Sequence, residues 1–259
     1  MVKGLYTAYT GMRHQQNRMD ILSNNMANSD TVGFKKEGST NQAFKDVLAY
    51  RIKDTTDGWR AAGIGKMNLG VKIGENYTDY SQGAFHATDN TFDLALGGDG
   101  FFAIEYKNKA GETSVKYTRD GSFTLTKDGT LVTKDGDFVL DKNGNHIKID
   151  PMQETQIDEK GNIYQGGGVK ATIRVVDFED YNYIEHFGEN MYQTVDGFTI
   201  KDSDAQVFSG YLEQSNVTVV SEMVELISIS RAYESNQKVI QTIDGALDIA
   251  ANRLGQLNG

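Results

Sequence analysis

The amino-acid sequence predicts an α+β protein in which long N- and C-terminal helices pack as a discontinuous coiled-coil unit around a β-rich antiparallel meander. Three patterns carry that expectation. Near the start of the chain Leu5, Met12, Met19 and Met26 recur every seven residues, and near its end two further seven-residue rows begin at Leu226 and Ile229. Between them, Asp-Gly and Asn-Gly pairs separate short apolar segments at intervals of seven or eight residues. A recurrence of seven marks one face of a helix, whereas closely spaced glycine turns belong to hairpins.

The first helix is expected over the opening thirty residues, where Ala8 and Leu22 stand three positions after members of the Leu5 row and no proline interrupts. At ~1.5 Å per residue the run from Leu5 to Met26 is about 35 Å long. Asn24, Asn25 and Asn28 close it, because Asn tolerates left-handed backbone and Gly33 supplies a free turn. Three asparagines in five residues fit either a helix stop or a hydrogen-bonded junction to a neighbouring segment or subunit. Residues 54–80, with Gly58, Gly63, Gly65, Gly70 and Gly74 and few large apolar side chains, read as an extended arm. Such an arm, Trp59 included, gains order only by lying on a neighbour, since alone it buries too little apolar area to offset backbone entropy.

Asp120-Gly121, Asp128-Gly129, Asp135-Gly136 and Asn143-Gly144 then separate Phe123-Thr124-Leu125, Leu131-Val132-Thr133, Phe138-Val139-Leu140 and Ile147-Lys148-Ile149, with Gly taking the positive φ of tight turns. Further strands are expected over 101–104, 171–176 and 197–200. In the last helix Leu226, Tyr233, Ile240, Leu247 and Leu254 form one row, and Ile229, Asn236, Ile243, Ala250 and Leu257 the second. Five heptads filled at both positions describe a coiled-coil seam, in which Asn236 would fix register against a polar partner. Arg231, Tyr233 and Glu234 fit either a helix-surface patch or a subunit contact. The resulting layout is nested: residues 1–30 with 217–259 form a helical assembly domain, 31–90 with 195–216 a connecting arm and β region, and 91–194 an outer β-rich domain.

Composition bounds the chemistry. A chain of 259 residues is long enough for one large or two ordinary domains. Its net charge of -10 argues against nucleic acid as a partner. The charge is uneven, +3 over residues 1–36 and -13 over the rest. Without cysteine there are no disulfides, thiolate metal sites or thiol nucleophiles. No apolar run approaches the ~18 residues of a membrane span, and the opening residues lack the apolar core of a signal peptide, so export would use another route. His14, His86, His146 and His186 lie far apart, no serine sits in a Gly-x-Ser-x-Gly elbow, and His146 stands where a calcium loop starting at Asp141 needs glycine. No catalytic, cofactor or metal site is expected. What remains is interaction chemistry: two helices whose apolar seams one chain does not cover, which associate with copies of themselves.

Several segments resemble a known family. Asn24-Asn25-Met26-Ala27-Asn28-Ser29-Asp30-Thr31-Val32-Gly33-Phe34 looks like the signature after the first helix of bacterial flagellar rod and hook axial proteins. Leu94-Ala95-Leu96-Gly97-Gly98-Asp99-Gly100-Phe101-Phe102, Tyr117-Thr118-Arg119-Asp120-Gly121-Ser122-Phe123 and the closing Arg231-Ala232-Tyr233-Glu234-Ser235-Asn236 resemble the family in the same order. Within it, length and motifs are most like the distal rod subunits, with the proximal ones second; the arm over 54–80 departs from the pattern. The resemblance implies a subunit of the flagellar driveshaft in the basal body, exported unfolded through the flagellar type III apparatus. It also implies a hollow helical polymer joined to other rod and hook proteins, terminal helices inward and β domain outward. A competing class, a β-rich surface-binding module oligomerised by its helices, would need aromatic side chains clustered on one β face, and the Tyr and Phe residues are scattered.

Lacking cysteine and carrying only Pro151, the chain avoids disulfide pairing and most proline isomerisation, the two slow steps of folding. Refolding by dilution from denaturant is expected to finish without a dominant phase of minutes; such a phase, accelerated by a prolyl isomerase, would contradict this reading.

Overall fold

The structure, a computed structural model, describes residues 2–51, 62–188 and 190–256. It divides into a helical unit (Met1–Ala27, Glu37–Asp79, Thr218–Gly259) and a β unit (Asn28–Lys36, Tyr80–Val217). The architecture is α+β, with a helix at each end of the chain and an antiparallel β-rich middle.

The helical unit contains α1 (Val2–Ala27), β1 (Glu37–Ala43), β2 (Val47–Arg51), β3 (Ala62–Met67), β4 (Val71–Thr78) and α2 (Val219–Gln256). β1 pairs antiparallel with β4, Glu37 opposite Thr78, and β2 with β3, Val47 opposite Met67. Much of the stretch expected to be a free arm is therefore two hydrogen-bonded strands. Glycine makes this possible: a Cβ on Gly74 would lie 2.4 Å from Thr40 Oγ1, and one on Gly38 2.5 Å from the Tyr77 ring. Cross-strand contacts that close are open only to a residue without a side chain. Gly70, at φ +126°, presses its backbone against Thr10 of α1, where a Cβ would sit 2.1 Å from the hydroxyl. Trp59 lies outside the described residues.

The β unit runs β5 (Phe85–Ala87), β6 (Leu94–Gly97), β7 (Phe101–Lys107), β8 (Thr113–Thr118), β9 (Thr124–Leu125), β10 (Leu131–Val132), β11 (Phe138–Val139), β12 (Gln156–Ile157), β13 (Asn162–Gln165) and β14 (Gly168–Thr172). It continues through β15 (Val175–Phe178), β16 (Ile184–Phe187), β17 (Met191–Thr194), β18 (Ile200–Asp202), β19 (Gln206–Ser209) and β20 (Tyr211–Glu213). Among the described residues the largest sheet has nine strands, in the order β16-β17-β8-β7-β11-β10-β9, with β15 joining through β7 and β18 through β15. The expected meander is β9-β10-β11, and its turn residues Gly129 and Gly136 have φ of +75° and +93°.

Four expectations change in detail. Asp120-Gly121 is not a positive-φ turn; Gly121 is required because a Cβ would stand 1.7 Å from the Leu94 carbonyl oxygen. Residues 171–176 split at Ile173 and Arg174 into β14 and β15, which belong to different sheets. Only Ile200 of 197–200 is in a strand. Residues 147–149 bond to Leu131 and Gly129 without forming a regular strand.

Packing follows from β7, whose continuous apolar start buries both faces. Phe102 joins a core with Leu94, Phe123, Leu131, Val139 and Ile147, while Phe101 and Ala103 face Tyr117, Val176, Phe178 and Tyr192. Between the strands lies a cluster of buried charges. Glu213, fully buried, accepts from Lys35 Nζ at 2.6 Å and the Gly83 amide at 2.9 Å through Oε1, and from Arg119 Nη1 at 3.2 Å through Oε2. Lys35 also donates to the Ser81 carbonyl and Arg119 to that of Gly98, and the Arg119 guanidinium lies 5.3 Å from the Phe101 ring centre. Gly33 donates its amide to the Glu213 carbonyl at φ +69°, a Cβ there lying 2.5 Å from the Arg119 backbone.

Removing one member of such a cluster leaves buried charge unpaired at a cost of about 3–5 kcal/mol. Glu213→Gln is expected to lower the urea midpoint of the β unit accordingly; an unchanged midpoint would show that the cluster is not the tie described.

Candidate assembly interface

α1 and α2 lie antiparallel in a defined register. A Cβ on Gly4 would be 3.6 Å from Ile243 Cδ1, and one on Gly11 3.2 Å from Asn236 Nδ2. Further along, Arg18 pairs with Glu225, and Asn25 Nδ2 reaches Glu222 Oε2 at 3.4 Å. The α1 row turned toward α2 is therefore Gly4, Gly11, Arg18 and Asn25, one residue before the expected row. Leu5, Met12, Met19 and Met26 are each half-buried on its flank, while Ala8 and Leu22 are buried. Side chains that small or polar mark no helix face by hydrophobicity, yet glycine lets the two backbones approach and the polar residues pair across the contact.

On α2 the expected rows do turn inward. Ile229 is buried, and Leu226, Tyr233, Asn236, Ile240 and Ile243 are half-buried. Cover ends where α1 ends: Val2 falls near position 245 of α2 in this register, so Leu247, 37% exposed, lies in the part of α2 that extends past α1. The side chain of Leu254 is outside the described residues. A second apolar stripe, missed by the heptad reading, runs along the opposite side of the first turns. Val220, Met223, Val224 and Ile227 recur at helical spacing and are exposed, Val220 to 71% and Val224 to 64%. Isolated exposed apolar residues are ordinary, but a contiguous stripe on a helix marks a contact surface.

The asparagines divide. Asn25, fully buried, donates Nδ2 to the Glu37 carbonyl at 2.8 Å while its Oδ1 accepts the Glu37 amide at 3.0 Å, clamping the end of α1 to the start of β1. Asn28 forms a turn, its carbonyl and Oδ1 both accepting from Thr31. Asn24 is exposed. Asn216, ahead of α2, accepts the Lys36 amide at 2.7 Å through its Oδ1. Sequence reasoning did not bring Lys35, Arg119 and Glu213 together: Lys35 is followed by Lys36 and Glu37, Arg119 stands between Thr118 and Asp120, and Glu213 precedes Gln214, so none of them stands out locally as a buried charge.

His14 of α1 is buried rather than solvated. It is only 4% exposed, and neither ring nitrogen has a hydrogen-bond partner among the described residues. Burial, with the Arg18 guanidinium adding to it, holds its imidazole below the ordinary value of 6.5. The unfolded chain thus takes up this proton first, so the contribution of neutral His14 to stability is present above about pH 6.5 and is lost as pH falls below it. Between pH 7 and pH 5 the melting temperature of His14→Leu is expected to fall less than that of the unaltered protein. An equal fall in both would remove His14 as the titrating group.

Residues 5–35 match the family model for the flagella basal body rod protein, 95–165 that for the flagellar hook protein FlgE/F/G D1 domain, and 209–254 that for the flagellar basal body rod FlgEFG protein C-terminal region. The chain is 35% identical to the flagellar basal-body rod protein FlgG of Bacillus subtilis, over 97% of this chain and 99% of the relative. It is 34% identical to the rod protein FlgF of Caulobacter vibrioides, over the full length of both, and 32% identical to the flagellar hook-basal body complex protein FlhO of Bacillus subtilis, over 99% and 100%. Asn25, Gly33 and Lys35 fall in the first matched segment, Arg119 in the second, and Glu213 and Glu222 in the third.

Proposed function

The chain belongs to the family of flagellar basal-body rod proteins, and from that premise we propose that copies of it assemble through their terminal helices into a hollow helical rod. It is a structural subunit of the basal body, and such membership implies no enzymatic activity. The single observation that carries the assembly reading is apolar surface left uncovered on α2: the Val220-Met223-Val224-Ile227 stripe and the overhang at Leu247. A chain that covers one face of α2 with α1 and leaves another exposed over several turns fits a subunit whose partner helix comes from a neighbour, as in a coiled coil shared between copies.

The rest of the reading follows the same premise. The outer apolar positions of α2, with Leu5, Met12, Met19 and Met26 on the flank of α1, supply helix contacts between copies. FlgG-like and FlgF-like relatives both cover nearly the whole chain; we assign the distal position, in which one protein grows a long homopolymer, over the proximal one, where few copies suffice. Export in the unfolded state through the flagellar type III apparatus suits a chain without cysteine and with one proline.

Val224→Glu changes an exposed side chain, so the melting temperature should stay within a degree or two, since surface substitutions usually stay within about 0.5 kcal/mol. Electron microscopy of the concentrated variant is expected to show no filaments where the unaltered protein forms them, and a strain carrying only this variant should not swim. Filaments from the variant would remove the stripe from the interface, and a wild-type chain that never grows alone would move the assignment to the proximal position.

A further inference from the structure

A second feature of the helical unit bears on how copies meet. Between α1 and β4 lies a cavity of about 280 Å³ whose lining includes His14, Arg13, Lys72, Tyr6, Tyr9 and Phe44. No acidic side chain among the described residues lines it. Arg13 and Lys72 stand exposed at its rim and make no ion pair among the described residues. Tyr6 and Tyr9 are about half exposed beside them, Tyr6 with its ring 6.4 Å from that of Phe44. His14, also in the lining, is buried, and neither of its ring nitrogens has a partner among the described residues.

A buried polar group without a partner forfeits the hydrogen bonds it made to water, and native structures rarely leave one so. An apolar occupant would leave the imidazole unpaired, and a cationic one would meet Arg13 and Lys72. The group that satisfies all three is an anionic acceptor, small enough for the cavity and flanked by the tyrosines. The charge of the chain says where it comes from: at a net charge of -10 its surface offers more carboxylates than cations, so an approaching copy presents carboxylates to the Arg13 and Lys72 rim.

We propose that this cavity is a carboxylate socket, in which His14 donates a ring N–H and Arg13 and Lys72 supply charge to an Asp or Glu side chain of a second copy of this chain. The proposal rests on the assembly reading above and adds to it a polar contact that fixes the register the apolar stripe leaves loose. Apolar helix surfaces slide past one another at little cost, whereas a single charge in a single socket does not.

The test uses the full chain. The concentration at which light scattering and electron microscopy detect assembly is compared for wild type, Lys72→Glu, His14→Leu and a control of equal charge change, Lys109→Glu, an exposed turn residue of the β unit. Lys72→Glu is expected to raise that concentration at least tenfold and His14→Leu severalfold, with Lys109→Glu unchanged and all four equally folded by circular dichroism. Lys72→Glu and His14→Leu assembling like the control would overturn the socket while leaving the assembly reading intact. A wild type that stays monomeric at every concentration would overturn the homopolymer and with it the second copy as occupant. Sodium acetate, titrated against chloride while the His14 imidazole is followed by NMR, reads the socket separately: a saturable shift that Lys72→Glu abolishes supports it, and no saturable shift overturns it.

Discussion

The β unit depends on one carboxylate. Glu213 sits at the end of β20 and gathers Lys35 from the segment after α1, Gly83 ahead of β5 and Arg119 after β8, segments that span most of the chain. A buried ion cluster contributes little net stability over apolar packing, because desolvation offsets most of the attraction. What it contributes is intolerance of error. A shift of β20 by one residue would point Glu213 to the other side of its strand and leave two buried cations without their counter-charge. The close approach of Gly33 to the Arg119 backbone has the same consequence, since the cluster forms only when the segment between α1 and β1 reaches its place.

In the helical unit the corresponding constraint is proximity. Gly4 and Gly11 bring α1 against Ile243 and Asn236, and Asn25 and Glu222 meet at the far end. Close backbones at these points leave the larger α1 side chains Leu5, Met12, Met19 and Met26 half-buried on the flank, while Ile229 of α2 is buried. This division of labour explains why the unit has a defined internal register and yet retains exposed apolar surface. Glycine and polar residues of α1 set the register against α2, and the Val220, Met223, Val224 and Ile227 stripe stays exposed.

The strands β1 to β4 belong to the same economy of glycine. With Gly38 and Gly74 permitting side chains of the opposite strand to lie across the backbone, a segment poor in large apolar residues still pairs. Hydrogen bonding along the ladder, rather than a core of its own, holds it, and Gly70 joins it to α1.

Much of this was legible in the sequence. Periodicity determined both helices to within a few residues and the β9-β10-β11 hairpins, because spacing and glycine turn chemistry are local properties written residue by residue. The order of motifs determined the family. Tertiary structure alone decided which α1 row meets α2, since that choice turns on backbone approach at Gly4 and Gly11, and glycine carries no hydrophobic signal. It alone gathered Lys35, Arg119 and Glu213, whose separations in sequence of up to 178 residues leave no local trace. It alone buried His14, a polar residue placed by the strand packed over it rather than by the face of its own helix.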